Sequence, residues 1–539
     1  MRTPLPHLFS ALLITLFLGN LHAFADEDKL QILATQLAGA SFSDIERISN
    51  QLEGEVGEAA LPVLSVLLAG DLYYHRQTKK LMTVATAPDR EFHIFDFFSG
   101  EALGTADRRT IKKVRTHNSL RSHIRGIVAR LNLFSTDSQR RLAAAKSMLG
   151  EIEGEELNLL KTARLQEQNR KVRKQMDLAL NLYVLKNGEP TAKLNVVEDL
   201  AGSLEPEVRN AFQELLTSTD PHKDSVLIAA LKSAQNKSSG RVEFFNFLNT
   251  LFFGLSLGSV LLLVAAGLAI TFGVMGVINM AHGELIMLGA YSTYVVQLLM
   301  PNHVALSIIV AIPVAFLVSG LVGILIERGV IRFLKGRPLE TLLATFGISL
   351  ILQQTVRSIF SPLNRTVISP EWLSGSLEIN PVFSLTYNRL YILLFALIVF
   401  ALLQLIMKKT SLGLRVRAVS QNRYMAKAIG IRTEWVDAMT FGLGSGIAGV
   451  AGVALALITN VGPNLGQSYI IDSFMVVVFG GVGNLWGTLV GGFSLGIANK
   501  FLEPATGAVL ANILVLVFII LFIQKRPRGL FPQKGRAAE

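Results

Sequence analysis

Polar side chains stand at six points in stretches that are otherwise almost wholly apolar: Asn279, His282 and Glu284, then Thr345, Asp472 and Asn484. Donors and acceptors strung along apolar helices suit the passage of a small polar solute, which needs hydrogen-bond partners on a narrow route but no counter-charge. No enzyme constellation accompanies them. A Gly-x4-Gly-Lys-Ser/Thr loop is absent, and no Gly-Lys pair occurs at all, so the common phosphate loop does not bind ATP here. The nine histidines include no His-Glu-x-x-His pair and no cluster at metal-ligand spacing. Neither a cofactor nor a metal is called for, and the chain does not read as an enzyme. A plainer reading stands beside the transport one: His282 and Glu284 as a structural pair near a membrane edge, Asp472 as a helix cap.

The elements that must position these groups are membrane helices. No Asp, Glu, Lys or Arg occurs from Phe244 to Gly283, and about 20 such residues cross a bilayer. Apolar runs at 250–272, 280–300, 304–326, 340–360, 388–407, 437–459, 469–484, 486–502 and 506–523 give about eight or nine spans, with 469–502 short enough to be partly re-entrant. Glycines at four-residue spacing, Gly442 and Gly446, then Gly483, Gly487 and Gly491, let backbones approach, either within the chain or against a second subunit.

The net charge of +11 gathers in loops between the apolar runs, so membrane orientation accounts for it better than nucleic acid does. Lys and Arg crowd 327–338, 408–437 and the tail after 524, whereas 361–389 and 459–471 are poor in them. Positive loops stay inside, which makes the three basic segments cytoplasmic. The 408–435 loop is long enough for two short helices, with Gly430 placed to end the second.

The first half of the chain differs. Residues 1–25 place Arg2, an apolar stretch from Leu8 to Leu18 and Ala23-Phe24-Ala25 before acidic Asp26, the order of a secretory signal peptide. Residues 26–240 then read as an extracytoplasmic, mainly helical domain held by packing alone, because the chain has no cysteine. A small hairpin is expected within 72–103. Arg141, Arg173 and Arg209 recur at spacings of 32 and 36, which suits stacked helical pairs of the HEAT type, or equally a charged bundle with chance spacing. The polar run 232–241 reads as a linker into a membrane domain at 241–531, followed by a cytoplasmic tail at 532–539. The fold expected is thus all-α, an exported helical domain before a polytopic membrane domain.

Three stretches carry a resemblance. FGVMGVINMAHGELIMLGAY (272–291), RAVSQNRYMAKAIGI (417–431) and FGGVGNLWGTLVGG (479–492) are similar to segments of the branched-chain amino acid family of ABC importer permeases, over roughly 245–531. The long exported extension resembles that of the urea-transporting branch. The resemblance implies a coupling helix in the 408–435 loop, matched through Arg417, Ala418, Gln421, Asn422, Ala426 and Gly430, resting in a cleft of an ATPase. It also implies a second homologous permease, two cytoplasmic ATPase subunits and an extracytoplasmic solute-binding protein as partners. Urea or a short amide is the leading solute, a branched-chain amino acid the alternative. A receptor or scaffold is the rival of another class, though only loops and a short tail are left inside to act as its output.

Overall fold

The computed structural model describes residues 28–86, 92–106, 110–149, 152, 155–219 and 224–532. The signal peptide expected at 1–25 and the tail beyond 532 lie outside them. The chain divides into two compact units, Met1–Ser238 and Ser239–Glu539.

In the first unit, helices α1 (Phe42–Glu55) and α2 (Leu61–Ala69) pack on α3 (Asn118–Leu133) around Ile45, Leu52, Leu64, Leu67, Leu120 and Ile124. Ser41 starts α1 by accepting the Asp44 N–H, and Gly70, in the left-handed region, ends α2. Between α2 and α3 the all-α expectation fails. Strands β1 (Tyr73–His75), β2 (Leu81–Thr86), β3 (Phe92–Asp96), β4 (Ala102–Ala106) and β5 (Ile111–Lys113) form an antiparallel sheet in the order β4-β3-β2-β1-β5. The expected hairpin is its middle. What composition does not reveal is the return of β5 to β1, with Tyr73 opposite Lys113.

Helices α4 (Ser138–Ser147), α5 (Glu155–Gln166), α6 (Arg170–Asn187), α7 (Pro190–Asp199) and α8 (Pro206–Ser218) follow. The recurring arginines are each the fourth residue of a helix, in α4, α6 and α8. Arg141 donates to the Ser135 carbonyl and Arg173 to the Glu167 carbonyl, in both cases three residues before the helix begins. Arg141 also pairs with the buried Glu167 carboxylate at 2.6 Å, and that guanidinium holds the carboxyl below its usual range.

Helix α9 runs from Ser225 to Met275 as 51 continuous residues. The run 232–241, read as a linker, is helical within it: it contains no proline and one glycine, so nothing stops propagation from its flanks.

The second unit continues with α10 (His282–Leu299), α11 (Val304–Gly329), α12 (Pro338–Phe360), α13 (Tyr387–Lys409), α14 (Ser411–Gln421), α15 (Arg423–Ala428), α16 (Thr433–Ala456), α17 (Gln467–Gly480), α18 (Leu485–Thr506) and α19 (Ala508–Lys525). A short hairpin, Ser376–Glu378 with Ser384–Thr386, lies before α13. Among the described residues six helices are long and apolar enough to cross a membrane: α9, α11, α12, α13, α16 and α19. The other expected spans differ. Helix α17 has only 14 residues, and neither α10, with its polar groups, nor α18 qualifies.

Burial separates the centre from the rim. The most apolar windows of α9 and α16 are 89% buried, against 17–33% for the other four. Small residues make that centre possible. A Cβ on Gly289 of α10 would lie 2.0 Å from the Gly449 carbonyl of α16, a distance no real side chain shows. The spaced glycines likewise serve packing inside the chain: Gly442 and Gly446 meet Ile324 and Phe316 of α11, and Gly487 and Gly491 meet α17.

Candidate functional site: a buried polar cluster and a basic loop

Helix α9 ends at Met275, Gly276 takes φ +67°, and residues 276–281 are not helical. This segment leads back into the bundle, because the His282 ring meets the Val264 carbonyl, 11 residues and about 16 Å before the end of α9. Helix α10 therefore starts inside the bundle. Backbone N–H groups exposed by such a break need partners, and two sequence-predicted residues supply them. The Asn279 Oδ1 accepts from Ala281 N at 3.1 Å, and the Thr345 hydroxyl accepts from Met280 N at 3.2 Å. His282 Nε2 donates to Val264 O at 3.1 Å, while its Nδ1 has no partner.

Glu284 lies in the first turn of α10, 1% exposed. Its Oε1 accepts from Ser349 Oγ at 2.9 Å and Gln353 Nε2 at 2.7 Å, and its Oε2 is buried without a partner. Gln353 Nε2 is also 3.5 Å from Gln467 Oε1, at the start of α17. The starts of α10 and α17 touch: a Cβ on Gly466 would lie 1.7 Å from the Gly283 carbonyl. Two helix N-termini, whose partial charge is positive, thus meet beside one carboxylate. Broken helices of this kind build solute sites inside membrane proteins.

The structure brings Asn279, His282, Glu284 and Thr345 together and leaves two candidates out. Asn484 caps α18, accepting from Trp486 N and Gly487 N and donating to Phe531 O at 3.1 Å. Asp472 is half-buried in the middle of α17, so it neither caps that helix nor joins the cluster's hydrogen bonds. Sequence reasoning missed Ser349, Gln353 and Gln467. A signal existed, since Thr341, Thr345, Ser349, Gln353 and Arg357 recur every four residues and mark one polar stripe down α12.

The basic loop folds as two short helices, as its length suggests. Asn422 accepts from Met425 N to start α15, and Gly430, at φ +92°, closes it with the Ile431 N–H on Ala426 O. Val416, Val419 and Ala426 are buried against α9, α13 and α16. Arg417, Gln421 and Asn422 are exposed, Ala418 is half-buried, and Tyr424, Met425 and Ile429 present bare apolar surface. Ala426 therefore faces this chain's own bundle.

One buried acid ties the loop to that bundle. Asp437 of α16, 1% exposed, takes both Lys335, from the turn before α12, and Arg423, the first residue of α15, on a single oxygen. Nearby, Arg328 lies over the Trp435 ring at 5.0 Å.

Residues 250–524 match the family described as branched-chain amino acid transport system, permease component. The chain is 29% identical over 297 residues to the high-affinity branched-chain amino acid transport system permease protein BraD of Pseudomonas aeruginosa, covering 53% of this chain and 96% of that protein. It is 29% identical over 300 residues to the permease LivH of Escherichia coli, with the same coverage. A probable LivH of Methanocaldococcus jannaschii is 28% identical over 284 residues, 50% of this chain and 88% of that one. No solved structure matches significantly. With half of its length matched, and with membrane-capable helices throughout that half, the chain belongs to the branched-chain amino acid transport system permease family.

Proposed function

We propose that this chain is the permease subunit of an ATP-driven importer in the bacterial inner membrane and that its solute is a branched-chain amino acid. The observation that carries the reading is the match of residues 250–524 to this family together with similarity along 96% of relatives named for that transport. The amino acid reading, the alternative at the level of sequence, thus has better support than urea or a short amide.

Residues 26–240 lie outside the membrane, where the helices from 138 to 218 form a HEAT-like docking surface, with 241–531 in the bilayer and the loop at 410–432 inside. A second permease of the same family pairs with this one, a solute-binding protein delivers from outside, and two ATPase subunits hydrolyse ATP inside. Tyr424, Met425 and Ile429 give the loop an apolar face for the ATPase, and Asp437 joins the loop to the central helix α16. Movement of the loop then re-packs α16 against α10 and α9 between two discrete arrangements. The Gly283–Gly466 junction is where those arrangements differ most in access, and Asn279 and Thr345 hold the broken backbone while they interconvert.

The test is uptake of labelled leucine and labelled urea by cells with the gene deleted and restored. Leucine uptake should fall on deletion and return on restoration, with urea unchanged; loss of urea uptake alone would overturn the amino acid reading.

A further inference from the structure

At the end of the bundle opposite the basic loop, a cavity of about 480 Å³ is lined by Arg357, Asn364, Asn460, Asn464, Leu465 and Ser468. That is within the range of small-ligand sites. Its lining is polar, and its one charged side chain is Arg357, whose Nη2 donates to Asn464 Oδ1 at 2.7 Å. The Glu284 cluster adjoins the cavity through α12 and α17. Ser468 follows Gln467, which approaches Gln353, which binds Glu284. Arg357 stands four residues beyond Gln353 on α12, about 6 Å along the axis.

A cation in the cavity wall and the buried carboxylate of the adjoining cluster, linked through Gln353 of α12 and Gln467 of α17, form a dipole. Each pole is incomplete. Glu284 has a buried oxygen with no partner, and Arg357 donates to a neutral amide. The positive N-terminus of α10 helps a carboxylate stay buried at this position without a neighbouring cation in contact. An uncharged amide such as urea would leave both poles unmatched, whereas a zwitterion would satisfy both.

We infer that Arg357 and Glu284 are the two poles of a site for an α-amino acid, Arg357 taking its carboxylate in the outer cavity and Glu284, with Gln353 and Ser349, taking its ammonium group. In the conformation seen here the Gly283–Gly466 contact and the Gln353–Gln467 pair separate the cavity from Glu284. Parting of α10 from α17 at that contact opens the carboxylate to the solute. This rests on the amino acid reading above and adds where and how the solute is held.

The experiment uses the purified transporter complex without its solute-binding protein, so that recognition by the membrane site is read alone. Equilibrium binding of labelled leucine is measured for the wild type and for Glu284→Gln, Arg357→Gln and Arg357→Lys. Loss of one charge-assisted contact should weaken binding at least about 10-fold in Glu284→Gln and Arg357→Gln, with Arg357→Lys recovering most of it. If the wild type binds leucine and both Gln variants stay within two-fold of it, the dipolar site is wrong while the amino acid reading stands. If the wild-type complex neither binds nor imports leucine, the amino acid reading itself fails. A variant that fails to insert is replaced by Glu284→Asp, for which a shortened carboxylate should give an intermediate affinity; unaltered affinity there also counts against the site.

Discussion

Replacing Asp437 by asparagine keeps the side chain's shape and removes the charge on which Lys335 and Arg423 converge. Removing one partner of a buried ion pair costs about 3–5 kcal/mol when the other is left stranded in the interior. Here the stranded groups are not fully interior: the Lys335 and Arg423 side chains are 36% and 28% exposed, and each can take up water once released. The expected cost is therefore lower, about 2 kcal/mol. Because Arg423 opens α15, that cost falls on the docking of the two loop helices, and it corresponds to roughly a 30-fold rise in their open population. Hydrogen exchange reads this directly. In the detergent-solubilised transporter, amides of 411–429 should lose about 30-fold of their protection, those in the centre of α16 should not change, and ATP-driven uptake should fall. Glu434→Gln is the control, since that carboxylate is 75% exposed and lies 4.0 Å from Arg328. If Asp437→Asn leaves protection of the loop within two-fold of wild type, Asp437 does not anchor it.

Gly289→Ala and Gly466→Ala drive a methyl group into backbone at 2.0 and 1.7 Å and should cost about 1–3 kcal/mol or more each, read as lost thermal stability in detergent, whereas Gly347→Ala, with nothing within 4 Å, should be tolerated. Ala426→Asp puts an unpaired charge at a position 2% exposed and should undock the loop and abolish uptake, while Met425→Ala, on the exposed face, should leave the loop docked and weaken ATPase association; the reverse pattern would mean that the faces are misassigned. In the first unit, Asp96 accepts from the Ser99 and Phe98 N–H groups and pairs with Lys80 at 2.9 Å. The Ser99 bond foremost, with Lys80 and Phe98 behind it, pulls its carboxyl from the ordinary 3.8 to about 2. A depressed folded-state value means that this stabilisation is complete above about pH 4 and is lost as pH falls toward 2. Exchange at the 96–101 turn should therefore be acid-sensitive in wild type and insensitive in Asp96→Asn.

Local pattern carried much of this architecture. Apolar length marks α9, α11, α12, α13, α16 and α19 because a bilayer demands it, and Asn422 with Gly430 bounds α15 because capping is a matter of a few adjacent residues. What stayed hidden depends on distant partners. The three residues of β5 become a strand only through pairing with β1, some forty positions earlier. The apolar run at 280–300 suggests a span, and only the contacts of α10 with Val264 and Gly466 place its start inside the bundle. Glu284 was legible as an oddity in apolar sequence, yet its partners Ser349 and Gln353 lie 65 and 69 residues away. Asp437 passed for a residue at the edge of a span. Its importance comes from two basic side chains that separate loops bring to it, at sequence distances of 102 and 14.

The measurement that bears most directly on the whole account is transport by the reconstituted assembly in proteoliposomes. With both permeases, the ATPase subunits and the solute-binding protein present, leucine should accumulate against its gradient only when ATP is supplied on the side of the 410–432 loop, and this chain alone should move nothing uphill. Concentrative uptake by the lone chain, or accumulation of urea with leucine ignored, would contradict it.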